Sequence, residues 1–227
     1  MPDQTVLGCR IGTNTHELYI MHTMDTLKLP YIHLNLRYNP FGELPPETRG
    51  VLAIADVEHF VPLLHQRKVA VQFTGNSGTG KSTHLLALHR NFPDAPFFKV
   101  YCGTITKKIP LDIVFIDEMQ FLTKRLRNSI FKKVNALAFT THIDFSEELS
   151  RAGFTVTTIT PADLLNVKHL QRVFITRIEA ARRAEGPIPS VLESTIIKLI
   201  GTYKSDIRAM EVYLYDLFQS MKEVTDV

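Results

Sequence analysis

Residues 75–82 read Gly-Asn-Ser-Gly-Thr-Gly-Lys-Ser and satisfy GxxxxGK[ST] at every fixed position. An apolar, β-favouring run, Val69 to Phe73, leads into this segment, and a helical stretch, Lys81 to Arg90, leads out of it. A glycine-rich turn between a buried strand and a helix opens a β–α unit, which points to α/β architectures. The glycines allow successive backbone N–H groups to point inward at one polyphosphate. The positive N-terminal end of the helix adds to that field. Gly75, Asn76, Ser77, Gly78, Thr79 and Gly80 are expected to form the cradle, with Thr83 beside it. Lys81 is expected to reach the β- and γ-phosphates, and Ser82 to ligate Mg2+ through its hydroxyl.

A second site is written in Leu111 to Glu118, an apolar strand that ends in two acids. An aspartate at the C-terminal tip of a strand beside a phosphate loop can hold the water shell of Mg2+, which assigns Asp117 to the metal. The next residue, Glu118, can polarise a water for in-line attack on a γ-phosphate. Asp112 precedes the strand and is read as solvated.

The rest of the chain fits around these two segments. Five short apolar runs, 69–73, 97–101, 113–116, 136–140 and 154–159, have helical stretches between most of them, as in a parallel sheet covered on both faces. The spacing of Ile54, Val57, Phe60, Val61 and Leu64 predicts a helix over 51–66. After Ile159 the strands stop. Thr160-Pro161-Ala162-Asp163 opens a helix expected to run to Arg183. Ser190 with Glu193 repeats a capping box, and Gly201 is a natural stop. Ser205 and Asp206 open a last helix with the stripe Ile207, Met210, Leu214, Leu217, Phe218 and Met221. Three units follow: an extension over 1–38, an α/β core over 39–160 entered through a Pro- and Gly-rich connector, and a helical unit over 161–227.

Together these motifs resemble the AAA+ branch of P-loop ATPases, with GNSGTGKS as Walker A and IVFIDE as Walker B. The resemblance spans roughly residues 39–222. It implies a P-loop NTPase three-layer sandwich, with a five-stranded parallel sheet of order 5-1-4-3-2 and a small C-terminal helical lid. It also implies an ATPase that binds and hydrolyses Mg-ATP and couples nucleotide state to oligomer assembly or remodelling of a partner. The segment Ala136 to His142 is similar to the sensor-1 strand, with Thr141 as the polar tip and Thr140 as the close alternative. Glu148-Leu149-Ser150-Arg151 resembles the segment bearing an arginine finger, so Arg151 would serve the site of a neighbouring subunit in a homo-oligomer. Gly201 to Glu211 resembles the sensor-2 helix, with Arg208 tying the lid to the phosphates. Asn39-Pro40-Phe41 resembles a short motif of transposition- and secretion-associated members that lies near the adenine. A rigid turn with a buried Phe41 is the equal alternative. The interval between Asp117 and Thr141 is compact, which argues against a long insertion or pore loop.

Other readings stay open. The same loop serves a small-molecule phosphotransferase, or a nucleotide-gated binding module with little turnover. Lys124, Arg125, Arg127, Lys132 and Lys133 crowd a segment without an acid between Glu118 and Asp144, which permits a DNA partner or marks a solvated helix face. The net charge of +3 permits such a partner without demanding one. Cys9 and Cys102 are too few for a disulfide framework, and no CxxC pair or HExxH suggests a bound transition metal. His84 and His89 are poorly spaced for one ion. No apolar run reaches the roughly 18 residues of a membrane span, and no signal peptide is read, so the expected location is cytoplasmic.

Overall fold

The computed structural model describes residues 30–101 and 112–227. Residues 1–29, with Cys9, and 102–111, with Cys102, lie outside the described residues, so most of the extension read over 1–38 does too. Val69–Thr74 (β1) lacks alternation because its residues from Val69 to Phe73 are all buried. It pairs in parallel with Ala136–Thr141 (β4) on one side and Thr155–Ile159 (β5) on the other. Ile113–Asp117 (β3) lies beside β4, and Phe97–Lys99 (β2) closes the far edge. The described sheet is therefore all parallel, in the order β2-β3-β4-β1-β5. Taken from the β5 edge, that order is 5-1-4-3-2.

Alternate residues of each strand feed opposite cores. Val114 and Ile116 of β3, with Leu137 and Phe139 of β4, join Ile130 and Phe131 of helix Lys124–Lys133 (α4) and Leu149 of helix Ser146–Arg151 (α5). Phe115, Ala136 and Ala138 point the other way, to Leu85 and Leu88 of helix Lys81–His89 (α3) and to Phe60 and Leu64. Helices thus cover both faces of the sheet. A third core holds Phe174, Ile196, Leu214 and Phe218 from the C-terminal helices Val167–Ala181 (α6), Glu193–Tyr203 (α7) and Ile207–Ser220 (α8).

The structure changes several expectations. The helix over 51–66 is absent. A short helix, Pro46–Val51 (α1), precedes a loop, then a 3-10 turn over Glu58–Phe60 and a single turn over Val61–Leu64 (α2). A continuous helix would bury Pro62 in its interior, where it lacks a donor and clashes with the preceding turn; here it opens α2 instead. The stretch from Pro161 is a 3-10 turn to Leu164, and α6 begins afresh at Val167, capped by Asn166, whose side chain accepts from the His169 N–H at 2.9 Å. Ser190 forms no capping box: its hydroxyl donates to Asp226 at 2.7 Å. Gly201 does not stop α7, which runs to Tyr203 and ends at Lys204. Residues 31–38, read as part of an extension, pack with the helical unit. Leu34 and Leu36 are fully buried in the third core, and the Arg37 N–H donates to the Ala181 carbonyl at 2.8 Å.

Candidate functional site

Parallel register brings the candidate residues to one edge. Thr74 stands beside Thr141, and Ile116 beside Phe139, so the phosphate loop after β1, Asp117 at the end of β3 and Thr140 on β4 meet at the carboxyl ends of adjacent strands. That is where open α/β sheets bind ligands.

The loop keeps its shape through backbone conformations that glycine tolerates. Gly78 has φ +79°, and a Cβ there would lie 1.9 Å from an Asp206 carboxylate oxygen. The helical unit docks at this point. The Gly78 carbonyl accepts from the Ile207 N–H at 3.0 Å, and Asp206 caps α8 by accepting from Ala209 at 3.0 Å. The Thr79 hydroxyl donates to the Asn76 carbonyl at 2.9 Å, and Lys81 Nζ donates to the same carbonyl at 2.7 Å. Burial pushes the Lys81 ammonium below its ordinary range, while Glu118 and Asp117 oppose that shift.

The acids are wired to the loop. The hydroxyls of Ser82 and Thr140 both donate to Asp117 Oδ1, at 2.8 and 2.6 Å, and Asp117 is buried. The Thr140 hydroxyl accepts from the Glu118 N–H at 2.8 Å, and Glu118 is left-handed, with φ +65°. The Glu118 carboxylate accepts from Gln120 and lies 3.5 Å from His142 Nε2. Ser82 and Asp117 supply a hydroxyl and a carboxylate side by side, a set of hard oxygen donors that fits Mg2+ with most of its waters retained. Among the described residues no group of three or more His, Cys, Asp or Glu is placed to hold a metal.

Of the two threonines, Thr140 reaches the acids. Thr141, chosen from the sequence, does not. Its hydroxyl closes a local turn, donating to the Ile143 carbonyl at 2.8 Å and accepting from the Ile143 N–H at 3.0 Å. His142 was missed, and the only signal for it is that it follows the paired threonines at the strand tip.

A cavity of about 550 Å³ opens between the loop, the connector and the helical unit. It is lined by the glycine-rich loop, Glu118 and Arg208, and by the apolar side chains Leu44, Leu52, Ile54 and Val173. Phe41 both lines the cavity and packs edge-on against Phe174 and Phe218, with ring centroids 5.6 and 5.0 Å away. Asn39 fixes this turn by accepting from the Phe41 N–H at 3.1 Å. Arg177 holds it from the other side, donating to the Pro40 and Gly42 carbonyls at 2.7 and 2.5 Å and to Glu211 at 2.6 Å. Burial pushes the Glu211 carboxyl up, and the neighbouring Arg177 and Arg49 charges pull it back. His84 also faces the cavity. Its Nδ1 lies 3.0 Å from the Gly80 carbonyl, so that nitrogen carries the proton, and burial holds the ring below its ordinary pKa.

Two predicted arginines stand apart. Arg151 is exposed on α5, paired with Glu147 one turn away, and does not line the cavity. Arg127 leaves the basic group, because both carboxylate oxygens of Glu148 hold it, at 3.1 and 3.0 Å, over the Phe145 ring. Lys124, Arg125 and Lys132 remain together on the outer side of α4. Among the described residues no helix is long and apolar enough to cross a membrane. Compared with known protein families and with curated proteins, the chain matches none.

Proposed function

We propose that the chain is an AAA+-type ATPase that binds Mg-ATP, hydrolyses it and couples nucleotide state to assembly or to remodelling of a partner. The observation that carries this reading is the chain Ser82–Asp117–Thr140–Glu118, which joins the loop lysine's helix to two acids at one sheet edge. The strand order taken from the β5 edge and the helical unit docked on Gly78 support it further.

Backbone N–H groups of residues 75–82 receive the triphosphate, and Lys81 exchanges the Asn76 carbonyl for phosphate oxygens. Ser82 and Asp117 would hold Mg2+, which would supply neutralising charge for the phosphates. Glu118, oriented by Gln120 and His142, accepts a proton from the attacking water. The water oxygen bonds to the γ-phosphorus as the bridging β–γ oxygen bond breaks, giving ADP and phosphate. Arg208 reaches the cavity from the helical unit. Arg151, turned away from its own cavity, is assigned to the site of a second copy in a homo-oligomer.

Glu118→Gln is expected to retain ATP binding and lose turnover, read by calorimetry and phosphate release. Retained turnover overturns the role of Glu118, and failure of the wild type to bind Mg-ATP overturns the whole reading. ADP formation without an added acceptor separates hydrolysis from transfer to a small molecule. A DNA partner is supported by the cations on the outer side of α4 alone. DNA binding that survives Lys124→Glu with Lys132→Glu places the contact elsewhere, and no DNA binding by the wild type removes this partner.

A further inference from the structure

Glu211 is a carboxylate in the wall of the cavity that the hydrolytic chemistry leaves unused. It lies three residues beyond Arg208 on α8, a rise of about 4.5 Å, or roughly one helical turn from the arginine assigned to the phosphates. One of its oxygens, Oε1, is held by Arg177 at 2.6 Å, and Arg177 is itself locked onto the Pro40 and Gly42 carbonyls. Among the described residues Oε2 makes no hydrogen bond, and the side chain is 23% exposed, in a residue that lines the cavity. The carboxylate is therefore held in place at one oxygen while the other is free to accept.

The cavity orders what this oxygen can meet. The triphosphate belongs at the glycine loop, and among the residues lining the cavity Leu44, Leu52, Ile54 and Val173 offer the apolar contacts that suit the flat face of a base. A carboxylate held one turn from the phosphate-directed arginine belongs to the sugar between them. An ionised carboxylate only accepts, and the ribose presents two hydroxyl donors.

We propose that Glu211 accepts a hydrogen bond from the ribose 2′- or 3′-hydroxyl and makes the site selective for ribonucleotides over their deoxy forms. This rests on the nucleotide reading above. The Arg177–Glu211 pair is then a positioning device: Arg177 sets the carboxylate, and Glu211 touches the ligand.

The test is calorimetric titration of the wild type with the magnesium complexes of ATP, 2′-deoxy-ATP and 3′-deoxy-ATP. At least one deoxy analogue is expected to bind about tenfold or more weaker than ATP, the scale of a hydrogen bond to a charged group. Equal binding of all three overturns the inference and leaves the nucleotide reading standing. Binding of none overturns that reading, and this inference with it.

Removal of Glu211 alone strands Arg177, so the informative variant replaces the pair, Arg177→Met with Glu211→Met, with circular dichroism as the check on folding. It is expected to bind the discriminated deoxy analogue as the wild type does and to lose the preference for ATP. A preference that survives in the folded double variant overturns the assignment. So does a change in the ATP-to-GTP ratio with the deoxy discrimination intact, because the carboxylate then reads the base. If the double variant does not fold, Glu211→Gln takes its place. The amide keeps an acceptor for Arg177 and weakens the sugar contact, so the deoxy discrimination is expected to shrink, and unchanged discrimination overturns the inference.

Discussion

Thr140 shows how one hydroxyl can organise two acids. It donates to Asp117 and accepts from the Glu118 N–H, and it is fully buried. Thr140→Val keeps the shape and removes both bonds, leaving the part-buried Glu118 N–H without its partner at a cost of about 1 kcal/mol. Because Asp117 and Glu118 then lose their common anchor, turnover is expected to fall by about tenfold to a hundredfold. Thr141→Val breaks only a local turn, so its turnover should stay near wild type. Urea unfolding with phosphate-release assays on both variants checks this, and the reverse ranking would restore Thr141 to the site. The sequence could not separate these neighbours. Which hydroxyl faces Asp117 depends on β3–β4 register, where Ile116 meets Phe139, and register is a property of two strands. The glycine-rich loop between β1 and α3 was legible because its residues are contiguous. His142 was not, because its partner Glu118 follows a different strand, β3.

At the level of elements, short apolar runs identified the five strands of the described sheet; β1 and β4 lack alternation because both their faces are covered, whereas β5, at an edge, is threonine-rich and partly exposed. Helical spacing misled where it reported burial alone. Val57, Phe60 and Leu64 do enter one core, but a loop, a 3-10 turn and a single α-turn deliver them there. Similarly, α6 starts only at Val167, because Asn166 caps it and the residues from Pro161 form a separate turn. The start of α6 also predicts an acid response. Burial lowers the pKa of His169 below its ordinary 6.5, and the nearby His84 and Arg172 push the same way. The unfolded chain thus binds the proton more readily than the folded one. Stability from this group is complete above about pH 6.5 and is lost as pH falls through that value toward the lower folded-state pKa. Chemical denaturation between pH 7.5 and 5 should show the decline, and His169→Gln should reduce it, leaving the part that buried His84 contributes with the same sign. A folded-state NMR titration midpoint at or above 6.5 for His169 would contradict the assignment.

The whole molecule joins a sheet with two cores to a helical unit that draws Leu34, Leu36 and Phe41 from the other end of the described chain. The cavity lies where these parts meet, and the direct backbone link across it is the docking of Ile207 and Arg208 on the Gly78 carbonyl, at 3.0 and 3.4 Å. A ligand there touches the phosphate loop, the connector and α8 at once, so it should hold the two parts together as well as fill the site. In the Glu118→Gln background, which prevents consumption, Mg-ATP at a hundredfold over its Kd is expected to stabilise the chain by about 2.7 kcal/mol. For a chain of this size that corresponds to a rise in Tm of about 5–10 °C, at roughly 2–4 °C per kcal/mol. Arg208→Ala should shrink the rise by removing the cation that α8 offers to the phosphates, while leaving the nucleotide-free Tm within about 1–2 °C, because Arg208 is an exposed side chain. Gly78→Ala is the sharper test of the joint. The Cβ collides with the Asp206 carboxyl group, so that side chain must move and give up its cap on Ala209, and both the nucleotide-free Tm and its response to Mg-ATP should fall. If Gly78→Ala leaves both unchanged, the helical unit is not held by the loop, and the coupling between nucleotide and lid fails with it.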